Sequence, residues 1–145
     1  MVINRDTDYA VRCMLFMSGN PEKTFVIGEI AREKLIPESF LAKILQKLAK
    51  AGIIRSIRGA KGGFVLIKHP RDITLLDIIE AITGKVVINR CSTEEGRCVL
   101  INNCPTFPIW HEIKQMVEER LKHYDFQTLA KKYNNSVTGK PSSGV

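Results

Sequence analysis

The chain has 145 residues, 44% hydrophobic and 26% charged, with a net charge of +7. That balance supports a packed core and excludes disorder as the main state; the length suits one domain, or one domain with an appendage. No apolar run approaches the roughly 18–20 residues of a membrane span, and the opening MVINRDTDYA does not read as an export signal, so a cytoplasmic protein is expected.

The charge is unevenly placed. Residues 32–71 hold ten Lys or Arg against two acids, Glu33 and Glu38, while the rest of the chain is close to neutral. A basic surface of this kind neutralises phosphates and releases their counterions, which points towards nucleic acid.

In chain order, residues 5–18 read as a helix with an apolar face of Ala10, Val11, Met14, Leu15 and Met17, ended by Gly19-Asn20-Pro21. A short, poorly capped helix follows at about 27–34. Leu35-Ile36 is a tight turn, and Pro37 suits the first position of a new helix. That helix, about 37–51, carries Leu41, Ile44, Leu45 and Leu48 at i, i+3, i+4 and i+7. Its opposite face holds Ser39, Lys43, Gln46, Lys47 and Lys50, and Gly52 stops it.

IIRSIRGAKGGFVLIK then reads as a β-hairpin with a basic, glycine-rich tip. Residues 74–83 form another helix, with Thr74 as N-cap and Gly84 as stop. Residues 85–107 lack helical periodicity. A long helix runs over about 108–123, with Ile109, Ile113, Met116, Val117, Arg120 and Leu121 as its stripe and Lys114, Glu118 and Glu119 on its wet face. A short helix near 126–132 and a disordered polar tail over 134–145 complete the chain.

The fold class expected is therefore mainly α with a small β-hairpin wing: a winged helix-turn-helix over 1–84, a cysteine-bearing loop over 85–107, and a C-terminal helical segment over 108–133. Helix, turn, helix and basic hairpin in this order suit a double-stranded DNA reader. The DNA-facing set is Ser39, Phe40, Lys43, Gln46 and Lys47 on the helix, with Arg58, Lys61 and Gly62 at the hairpin tip. Gln46 can pair with an adenine edge, Lys43 or Lys47 with guanine or phosphate, and the tip can enter a minor groove. RNA is disfavoured because the basic window offers only Phe40 and Phe64 for stacking, and both read as core.

Cys91, Cys98 and Cys104 fall within fourteen residues, followed by Pro105; Cys13 lies apart, on the first helix, and reads as core. Without an export signal, structural disulfides are not expected. Three thiolates on one loop make a soft-metal site. The wide spacing disfavours structural zinc and suits an iron–sulfur cluster, 2Fe-2S or 4Fe-4S, with a metal-free thiol or disulfide switch, or inert cysteines, as the alternatives. A fourth ligand is missing from the loop; Asp8, His111, Glu112 and a cysteine or small molecule from solution are candidates. No nucleotide loop, flavin motif or nucleophile–base pair points to an enzyme.

These residues resemble the Rrf-two winged-helix regulators typified by IscR and NsrR. The most specific pieces are Pro37-x-x-Phe40-Leu41-x-x-Ile44-Leu45-x-x-Leu48-x-x-Ala51-Gly52-Ile53-Ile54, then Ser56-x-Arg58-Gly59-x-x-Gly62-Gly63-Phe64-x-Leu66, and the cysteine triplet at the family's cluster position. The resemblance implies a homodimer joined through the long C-terminal helix, a cluster that senses redox stress, nitric oxide or cluster supply, and repression of transcription. The IscR-like branch places a histidine three residues after the last cysteine, where this chain has Phe107. The NsrR-like branch uses an aspartate from the other subunit's first helix, which Asp8 matches. Two alternatives stay open: a cluster-free regulator acting through thiol oxidation or a partner protein, and an iron–sulfur electron-transfer protein.

Overall fold

The computed structural model describes residues 3–93 and 98–138. Within them, helices α1 (Arg5–Ser18), α2 (Ile27–Lys34) and α3 (Glu38–Lys50) precede an antiparallel hairpin of β1 (Ile54–Ile57) and β2 (Gly63–Leu66). Helices α4 (Leu75–Thr83), α5 (Phe107–Lys122) and α6 (Phe126–Thr138) follow. The mainly helical architecture with a hairpin wing is the one expected.

Local chemistry accounts for the helix ends. Asn4 caps α1 by accepting the Thr7 amide at 2.9 Å. Thr74 and Asp77 close a reciprocal capping box on α4, whose stop is Gly84. Pro37 sits one place earlier than expected: its ψ of 130° keeps it outside α3 as the N-cap, and its carbonyl accepts the Phe40 and Leu41 amides at 3.0 Å. At the other end of α3, the Gly52 amide bonds to the Ala49 carbonyl and the Ile53 amide to that of Leu48. This is a Schellman closure. It requires the left-handed backbone that Gly52 adopts at φ 74°, and it sets the buried Ile53 against the buried Leu48.

The α3 stripe is the centre of the core. Leu41, Ile44, Leu45 and Leu48 are all at most 2% exposed, packed with Met14 and Met17 of α1, Ile30 of α2 and Ile78 of α4. Burying each such side chain contributes about 1.5–3 kcal/mol, which holds α3 in one rotation and fixes the face it leaves to solvent. Cys13 is fully buried in the same core, as expected.

Two features were not visible as sequence patterns. Phe25 forms a bridge to Phe64, with N–H···O distances of 2.8 and 2.7 Å, so the wing is anchored to the strand-like residue before α2. Helix α6 runs to Thr138, into the stretch expected to be a tail. Asp125 accepts the Thr128 amide at 2.9 Å and its hydroxyl at 2.8 Å, which starts the helix. Further along, the Tyr133 hydroxyl takes a 2.8 Å hydrogen bond from Lys34, whose ammonium also lies 4.2 Å from the Tyr133 ring centroid. These contacts tie α6 back to α2. Residues 139–145 of the expected tail lie outside the described residues.

Leu35, between α2 and α3, has φ 54° and ψ 48°, a left-handed conformation disfavoured for a side chain bearing Cβ. It is 81% exposed, so its side chain contributes little packing. Leu35→Gly is expected to stabilise the fold by about 0.5–1 kcal/mol, read as a higher thermal midpoint. A lower midpoint would show that Leu35 holds the turn by packing.

Candidate nucleic-acid interface and cysteine segment

Fixing the α3 stripe in the core turns Ser39, Phe40, Lys43, Gln46 and Lys47 outwards; all five are exposed. Phe40 is a departure from the core role expected of it. It is 39% exposed and meets the Tyr9 ring edge-on, with centroids 6.2 Å apart. Phe64 is half-buried and packed against the core. Lys47 is not a free cation: its Nζ donates to the Ile82 carbonyl at the end of α4, at 3.3 Å.

The wing follows α3 after Gly52, with Ile54 paired to Leu66 and Ile57 to Gly63. Arg58 and Lys61 are exposed at its tip. The turn is tight: the Gly62 amide donates to the Gly59 carbonyl at 2.9 Å, and a Cβ on Gly62 would lie 2.2 Å from the Ile57 oxygen. Only glycine allows that close backbone approach.

Asp8 is exposed on the first turn of α1 and pairs with Arg12 at 2.6 Å. The Arg12 guanidinium lies 5.4 Å from the Tyr9 ring centroid, and Tyr9 meets Phe40. Asp8, Arg12, Tyr9 and Phe40 therefore form a continuous line of contacts from α1 to the first turn of α3.

Cys91, Cys98 and Cys104 are free thiols, each half-buried. Cys91 lines a cavity of about 180 Å³ with Phe107, Trp110 and His111, whose imidazole stacks on Phe107 at 6.2 Å. Cys104 lies just before α5. Hydrogen bonds from Thr106, first through its hydroxyl and then through its backbone, favour the thiolate and hold the thiol below its usual range. Burial pushes the Cys13 thiol up to about 12. Among the described residues, no three His, Cys, Asp or Glu side chains gather as a metal-holding group. Arg97 and Gly96 of the loop lie outside the described residues. The donor chemistry nevertheless fits an iron–sulfur cluster: three unpaired soft thiols on one segment, one of them already biased towards thiolate. Brief treatment of the native, metal-free protein with iodoacetamide at neutral pH is expected to label Cys104 ahead of Cys13, read by peptide mass spectrometry. Labelling of Cys13 first would contradict these environments.

The long helix α5 departs from its expected orientation. Lys114 and Glu118, assigned to the wet face, are half-buried and paired at 3.8 Å, beside the groove between α5 and α4. The stripe itself is divided: Ile109 is 51%, Ile113 36% and Met116 62% exposed, while Val117 and Leu121 are half-buried. The apolar side chains thus split between an open line and the half-buried Val117 and Leu121, which neighbour the half-buried Lys114 and Glu118 on the helix.

The sequence matches the family model described as "Rrf2: Iron-dependent Transcriptional regulator" over residues 3–132. The chain belongs to the Rrf2 family. It is 30% identical to the HTH-type transcriptional regulator IscR of Yersinia pseudotuberculosis over 128 residues, which cover 88% of this chain and 76% of that one. Among solved structures it is similar to T. potens IscR, with a TM-score of 0.75 at 24% identity, covering 97% of this chain and 93% of that one. It is also similar to CymR, the global cysteine regulator of B. subtilis, with a TM-score of 0.70 at 27% identity, covering 91% and 98%. This Rrf2 chain has the winged-helix fold of its relatives and is a DNA-binding transcriptional regulator; those relatives are named as regulators, not as enzymes. No helix among the described residues is long and apolar enough to cross a membrane.

Proposed function

We propose that this Rrf2 chain is a homodimeric repressor whose DNA affinity is set by an iron–sulfur cluster sensing redox stress, nitric oxide or cluster supply. In this reading Ser39, Phe40, Lys43 and Gln46 face the major groove, and Arg58, Lys61 and Gly62 face the adjacent minor groove. The observation that carries it is the rotation of α3, whose apolar stripe is wholly buried while its polar face stands open beside a basic wing.

Dimerisation is supported by the open apolar stripe of Ile109, Ile113 and Met116, which follows one side of α5 and which a second copy can cover. Cys91, Cys98 and Cys104 would hold the cluster, with Asp8 from the second subunit as fourth ligand. His111, which shares the Cys91 cavity, is the other candidate. A bound cluster supplies one-electron and nitric-oxide chemistry. Ligation by Asp8 would take it away from Arg12, and so act on the line of contacts that ends at Phe40.

The test is anaerobic purification followed by iron and sulfide analysis. The reading predicts a brown protein with visible absorbance, which Asp8→Ala weakens and His111→Ala does not. A colourless, iron-free protein that still binds DNA would instead favour the cluster-free regulator. That second reading is supported by the three thiols being free and only half-buried, with Cys104 biased towards thiolate. Reversible redox cycling in a protein that binds no duplex would favour electron transfer.

A further inference from the structure

The last turn of a helix leaves carbonyls without intrahelical partners. At the end of α4, the Glu80 carbonyl is taken by the Gly84 amide at 2.9 Å. The Ile82 carbonyl is met from another element, by Lys47 Nζ of α3 at 3.3 Å. Helix α4 has no basic residue in its own last turn. A cation is favoured there by the helix dipole, and Lys47 provides one from a neighbouring helix. The same end is held firmly: Ile82 is 7% exposed, and Val86, just beyond the Gly84 stop, is 2% exposed.

We propose that Lys47 is a positioning residue, a strut that seats the recognition helix against the C-terminal end of α4, and not a phosphate contact. This rests on the reading of α3 as the recognition helix. Lys43, one turn earlier and also exposed, stays in the DNA-facing set and is the lysine of α3 left to meet a phosphate at the groove edge. The two roles differ in what DNA binding reports. A phosphate contact contributes to binding of any duplex, and its loss makes the salt dependence shallower by about 0.9 in log–log slope. A strut sets the register of base-reading side chains, so its loss weakens specific binding and leaves the slope unchanged.

The probe is a duplex that the parental protein selects from a random-sequence pool, with an unrelated duplex of equal length for comparison. Lys47→Met keeps the aliphatic stem and removes the ammonium; Lys47→Arg keeps the cation; Lys43→Met is the contrast. Lys47→Met is expected to lower affinity for the selected duplex about tenfold, with the salt slope and affinity for the unrelated duplex unchanged, and Lys47→Arg is expected to restore it. Lys43→Met is expected to weaken both duplexes and flatten the slope. A flattened slope in Lys47→Met would overturn the assignment by making Lys47 a phosphate contact. Unchanged binding to both duplexes would overturn it by making the Ile82 contact inconsequential. A parental protein that selects no duplex would remove the recognition-helix reading, and this assignment with it. Thermal unfolding of Lys47→Met close to that of the parent verifies that the exposed substitution leaves the core folded.

Discussion

Gly62→Ala is expected to disable the wing while the helical core stands. The added Cβ would lie 2.2 Å from the Ile57 oxygen and 2.8 Å from the Gly59 oxygen, both backbone atoms of the turn itself. Neither can yield without opening the tip and breaking the Gly62-to-Gly59 hydrogen bond. Gly63→Ala attacks the other support of the wing, with its Cβ 2.4 Å from the Phe25 oxygen that accepts the Phe64 amide. Overpacking of this kind costs about 1–3 kcal/mol locally. The core formed by α1, α3 and α4 does not include the tip, so circular dichroism should change little. DNA affinity should fall about tenfold or more in either variant, because Arg58 and Lys61 are no longer presented together. If both variants bound duplex DNA as the parent does, the wing would not be part of the interface.

Cys98→Ala is expected to abolish visible absorbance and bound iron while the fold persists. A cluster held by three cysteines and one further ligand does not assemble on two. Cys98 lies outside the buried core, and its thiol makes no part of the packing that holds α3. Thermal stability of the metal-free variant should therefore match that of the metal-free parent to within about 0.5 kcal/mol. DNA affinity should stay at the metal-free value whether or not iron and sulfide are supplied. A variant that fails to fold would make the thiol structural, and one that keeps full iron content would remove Cys98 from the ligand set.

Much of this was legible in the sequence because its signals are local. The spacing of Leu41, Ile44, Leu45 and Leu48 states both that α3 is a helix and which face is buried. Gly52 marks its end because the closing turn needs a left-handed residue, and Thr74 marks the start of α4 by its capping chemistry. What escaped depends on partners distant in the chain. Phe25 joins the wing only because Phe64 arrives beside it. Helix α6 extends past its weak sequence signal, and one contact that ties it down, from Lys34 to Tyr133, joins residues nearly a hundred apart. The orientation of α5 could not be read from its wheel. Two faces compete for burial there, and α4 covers the one carrying Lys114 and Glu118 while the more apolar stripe stays open. Lys47 looked equivalent to Lys43 because both fall on the wet side of one helix; the Ile82 carbonyl that separates them lies in another helix. The close sequence spacing of Cys91, Cys98 and Cys104 pointed to soft-metal chemistry but carried no geometry, since thiolate ligands need no periodic spacing.

The most direct test of cluster-controlled DNA binding is a footprint on genomic DNA with the same preparation before and after anaerobic cluster removal. Two protected half-sites about one or two helical turns apart are expected, with affinity differing at least tenfold between the two states. Identical protection in both states would contradict control by the cluster, and no protection in either would contradict the DNA interface itself.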